Sequence, residues 1–123
     1  MLSKLSFKIF FALIFTTLIL SSCKKNNELP PDVVISFDES PEGYSINEVV
    51  TFTNTSQHAD KDSYRWTIQR LGVNFIGDID TELLLDSSDE DIQFTFPSVG
   101  FYRVTLTGSN SNSFGQSQRT FNF

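Results

Sequence analysis

A chain of 123 residues with a formal charge of -6 and a single cysteine has room for one modest domain. Without its first 22 residues, whose removal is argued below, it keeps seven basic and fifteen acidic side chains, a charge of -8. This excludes a large multidomain enzyme, and it argues against nucleic acid, whose phosphates need clustered Lys and Arg.

The chain begins with Lys4 and Lys8 and no acid, and Ile9 to Leu20 is apolar apart from Thr16 and Thr17. An apolar run of about a dozen residues is the length of a secretory signal and short of the roughly 20 that span a bilayer. Leu20-Ser21-Ser22-Cys23 follows directly and resembles the lipobox of bacterial lipoproteins. The resemblance implies cleavage before Cys23, a diacylglycerol thioether on its sulfur and an acylated (palmitate-type) mature N-terminus. Two or more acyl chains anchor stably where one is marginal. A lipidated Cys23 leaves no thiol for a disulfide or a thiolate metal site. Lys24 stands where lipoproteins kept at the inner membrane often carry Asp, so the resemblance favours the outer membrane.

Residues 1–22 are therefore expected as a lipoprotein signal peptide and 23–32 as the lipidated N-terminus and tether. Lys24 to Pro31 is polar and stiffens toward polyproline II at Pro30-Pro31. Residues 33–123 are expected as the folded domain.

From Val33 onward the apolar period is two. Val33, Ile35 and Phe37 alternate with polar or opposite-facing residues, as do Val50 and Phe52, then Tyr64, Trp66 and Ile68. Ile92, Phe94 and Phe96 follow, then Tyr102, Val104 and Leu106, and finally Phe121 and Phe123. Each run predicts a half-buried strand. Pro41-Glu42-Gly43, Asn54 to Ser56, Pro97 to Gly100 and Gly108 to Gly115 read as turns between them. The sum is an all-β, immunoglobulin-like β-sandwich of about seven antiparallel strands, with Trp66 at the core centre and Tyr102 as a tyrosine corner.

Val50 to Ser56, Ser63-Tyr64-Arg65-Trp66, Phe96 and Gly100 to Thr107 with Ser109-Asn110 together resemble a PKD (polycystic kidney disease) domain, covering residues 33 to 123. The family usually follows its tryptophan with Asp-Phe-Gly-Asp-Gly, where this chain has Thr67 to Gly72. A fibronectin-like or generic immunoglobulin-like module shares the same sandwich.

Asp78, Asp80, Glu82, Asp86, Asp89, Glu90 and Asp91 are the densest polar group. Calcium takes oxygen ligands at such spacing, but Asp78-Ile79-Asp80 fits only the first two positions of an EF-hand loop, and a solvated acidic loop is the plainer reading. The connection from Leu71 to Asp91 is expected as a binding loop or as an extra strand pair. His58 is the only histidine, which leaves a His-based zinc site or a catalytic triad without partners. No cofactor, metal or catalytic residue is expected. The expected function is contact with an envelope protein by a module held to the membrane through its lipid. The alternative is a glycan-binding accessory module, for which Phe75, Phe101 and Phe114 are the candidate exposed aromatics. By alternation from Tyr102, Phe101 points outward.

Overall fold

A computed structural model describes residues 27–73 and 76–123. Its seven strands are β1 (Phe37–Ser40), β2 (Val49–Asn54), β3 (Arg65–Val73), β4 (Ile79–Ser87), β5 (Ile92–Thr95), β6 (Phe101–Ser109) and β7 (Phe114–Asn122). They form a three-stranded sheet ordered β1-β2-β5 and a four-stranded sheet ordered β4-β3-β6-β7, with every pairing antiparallel. The expected immunoglobulin-like sandwich is the fold observed.

The alternating runs bury the residues that the period of two selects. Phe37, Val50, Phe52, Trp66, Ile68, Phe96, Tyr102, Val104 and Leu106 are fully enclosed between the sheets. Most of the core is aromatic. Phe37 meets Trp66 edge-on at 5.2 Å, and Phe96 meets Tyr102 at 4.9 Å, geometries that place ring edges against ring faces. Trp66 sits at the centre, and its Nε1–H donates to the Glu90 carbonyl at 3.2 Å, so burial leaves no indole donor unpaired. The Tyr102 hydroxyl donates to the Ser98 carbonyl at 2.7 Å, which is the tyrosine corner.

Two expectations are corrected. The first strand was placed over Val33 to Phe37, whereas β1 begins at Phe37 and Val34 forms only an isolated bridge with Gln57. Ser36 accounts for this: its carbonyl accepts the Thr55 N–H at 3.0 Å, but its own N–H donates to Ser56 Oγ and its hydroxyl bonds Thr55, so a side chain takes over one half of the ladder there. The stretch Gly108 to Gly115 is not one long turn, because both glycines are strand residues paired in register and the turn is confined to residues 110–113. Ile35 lies over that glycine pair, and a Cβ at Gly115 would stand 2.7 Å from Ile35 Cγ1. The side chain that glycine lacks is what lets the N-terminal segment close onto the sheet.

Of the two alternatives for residues 71–91, the strand pair is present: β3 continues to Val73 and β4 returns beside it. Opposite Ile68 and Gln69 stand Leu85 and Leu83, so Leu84 is the extra residue of a bulge in β4.

Candidate functional site

The outward face of β4-β3-β6-β7 carries Ile79, Leu83, Phe101 and Phe114 among its exposed side chains. Its rows follow from the register. Arg65, Thr107 and Gln116 form one row, Thr67, Thr105 and Gln118 the next, then Gln69, Arg103 and Thr120, then Leu71, Phe101 and Asn122. β4 adds Asp86 beside Thr67, Leu83 beside Gln69 and Ile79 beside Val73.

Chemistry changes along this face. Toward the end near the β3–β4 turn, Ile79, Leu83 and Phe101 are 74%, 55% and 52% exposed on this one face. Ile76 and Val99 are exposed on the loops nearby. The middle of the face is polar, a shallow groove of about 490 Å3 lined by threonines, glutamines, Arg65 and Arg103, with Phe114 at its far end. Arg65 is already occupied: Nε and Nη2 donate to the two Asp86 oxygens at 2.9 and 2.6 Å. That fork holds the Asp86 carboxyl below the usual carboxylate range, chiefly through the hydrogen bond from Arg65. Arg103 stands between neutral Gln69 and Thr120 and has no ion pair among the described residues. Its Nε is shielded from water without a hydrogen-bond partner.

Phe101 and Phe114 share this face but not a site. Phe101 lies opposite Asn122 and Phe114 opposite Ser109, eight residues apart along β6, or about 26 Å at the usual rise per strand residue. Phe75 and Cys23 lie outside the described residues. The acidic residues do not converge either. Asp86 pairs Arg65, Asp91 accepts the Asn54 N–H at 2.8 Å, and among the described residues no three His, Cys, Asp or Glu side chains are gathered as a metal site. His58 is an exposed loop residue with φ of 68°, and its carbonyl rather than its ring is used, accepting from Asn110.

The β6–β7 turn, whose hold on the entering chain no motif signalled, organises the opposite end of the sheet. Asn112 Nδ2 donates to the Pro30 carbonyl and to Asp32 Oδ1, both at 3.1 Å, and Asn110 Nδ2 donates to the Pro31 carbonyl at 2.8 Å. The Val33 N–H donates to Ser113 Oγ at 2.7 Å. Asn110 Oδ1 in turn accepts the N–H groups of Asn112 and Ser113, so one side chain shapes the turn and grips the incoming chain. The entering segment is thus clamped at the end of the sheet farthest from the apolar cluster.

The PKD domain family matches residues 35–123. Among solved structures, the chain is similar to the solution structure of the PKD domain from the human VPS10 domain-containing receptor SorCS2, with a TM-score of 0.42 and 16% identity over 81% of this chain and 83% of that one. No curated protein sequence matches the chain.

Proposed function

The chain belongs to the PKD domain family, and from that premise we propose that it is a lipid-anchored contact module of the cell envelope, without catalytic turnover, which presents the β3–β4 end of its larger sheet to a protein partner. The observation that carries this reading is the placing of Ile79, Leu83 and Phe101 together on the outward face, at the end opposite the clamped tether. With Cys23 acylated, the seven residues to Pro30 reach at most about 25 Å, so the β6–β7 turn stays near the lipid and the apolar end projects away from it. Interface cores are apolar and depleted of charge, and on the outward face of β4 the residue between Ile79 and Leu83 is the neutral Thr81.

The test is photocrosslinking in cells that make the lipidated protein. A crosslinking residue in place of Phe101 should yield a discrete adduct that the same residue at Thr51, on the other sheet, does not. Leu83→Glu should abolish that adduct while leaving the domain folded. Equal adducts from both positions would overturn the assignment of the face.

A further inference from the structure

Beyond protein contact and independent of it, we propose that the polar groove on the outward face between β3 and β7 binds a carboxylated polysaccharide chain, with Arg103 pairing a carboxylate and Phe114 stacking on a ring at the far end. The first observation is charge segregation. The chain carries -8 outside its first 22 residues, yet the groove-lining residues include two arginines and no carboxylate. Asp86, at the margin, is held by Arg65, which leaves Arg103 as the guanidinium with unmet demand.

The second observation is that the guanidinium is free. Arg103 is half-buried and makes no ion pair among the described residues, and its shielded Nε is a cost to the fold rather than a point of ligand contact. A planar guanidinium matches a carboxylate with two parallel hydrogen bonds. An anion over Arg103 would meet Gln69 and Thr120 as flanking neighbours, neither of which repels it.

The third observation decides the class of ligand. Thr105, Thr107, Gln116 and Gln118 each offer both donors and acceptors, the inventory that sugar hydroxyls require, and their side chains are engaged in only two long hydrogen bonds, of 3.4 and 3.3 Å. An acidic protein would demand an apolar core that this part of the face lacks. A nucleic acid would demand several free cations, and among the described residues lining this groove Arg103 is the one cation without an ion pair. Phe114 is 67% exposed, and it is separated from Arg103 by six residues along the β6 register, about 20 Å. That span fits a chain and not a single sugar.

The test is affinity electrophoresis of the full mature chain through gels containing alginate, a carboxylated polymer, or dextran, a neutral one, at physiological salt. Alginate should retard the protein and dextran should not. Arg103→Gln should weaken retardation at least tenfold, Phe114→Ala less, and Lys61→Gln, which removes an equal charge from a loop off this face, not at all. Urea unfolding keeps folding separate from binding: with its Nε unpaired, Arg103→Gln should be at least as stable as the parent. Equal loss with Lys61→Gln, retardation by dextran, or no retardation by alginate would each overturn the proposal.

Discussion

Tyr44 shows what one atom contributes. Its ring stacks on Phe96 at 5.9 Å and touches Phe121 and Phe123, so the aromatic part is well used. Its hydroxyl is buried with no partner, and burial, reinforced by Glu39, pushes its pKa above the ordinary tyrosine range. Removing an unsatisfied buried hydroxyl is worth about 1 kcal/mol or more. Tyr44→Phe should therefore raise the urea midpoint at unchanged m-value. A lower midpoint would mean that an ordered water satisfies the oxygen. Asp86 makes the opposite case at the surface. Its carboxyl is held low by the Arg65 fork, so the contribution is present above the unfolded-state pKa and lost as pH falls through the lowered folded value. Carbon-detected titration should place the Asp86 midpoint below that of an ordinary aspartate, and Arg65→Gln should return it. Salt should weaken the pair, since both side chains are exposed.

At the scale of elements, how much was legible depended on whether the period of two survived. β3 and β6 were readable because Trp66 and Ile68, and Tyr102, Val104 and Leu106, all face inward without interruption. The same alternation put Phe101 outside. β4 was not readable as a certain strand: Leu83, Leu84 and Leu85 run together where the bulge sits, and the acids on either side have the composition of a solvated loop. Nor was the demand of Arg103 legible, because it depends on which neutral residues the register sets beside it. The ends of β6 and β7 were misjudged for a related reason, since Gly108 and Gly115 read as turn formers and serve instead as the floor under Ile35. Gly115→Ala tests that role. The added Cβ would meet Ile35 Cγ1 at 2.7 Å and Val33 Cγ1 at 3.2 Å, so the variant should lose about 1 to 3 kcal/mol, as overpacking does. Combining it with Ile35→Ala should recover part of that loss in a double-mutant cycle. Additive losses would show that the two positions do not touch.

At the scale of the molecule, the decisive feature is the connection between the tether and the domain. A polar linker ahead of a sandwich leaves the domain free to tumble, whereas here Asn110, Asn112 and Ser113 hold Pro30 to Val33 along the end of the sheet. Two consequences follow if these bonds set the orientation. The backbone at Asp32 should be as ordered as the strands, with an order parameter near about 0.85. In the double variant Asn110→Ala, Asn112→Ala it should fall below about 0.6, while values in β3 and β6 hold. The turn itself will loosen, because Asn110 Oδ1 also caps Asn112 and Ser113, so Asn112→Ala alone is the cleaner probe of the grip on Pro30 and Asp32. A graded response, small in the single variant and large in the double, is the expected result. If Asp32 keeps its order in both, the Val33 to Ser113 bond and the seat of Ile35 on the glycine pair are enough to fix the tether, and the asparagines only close the turn.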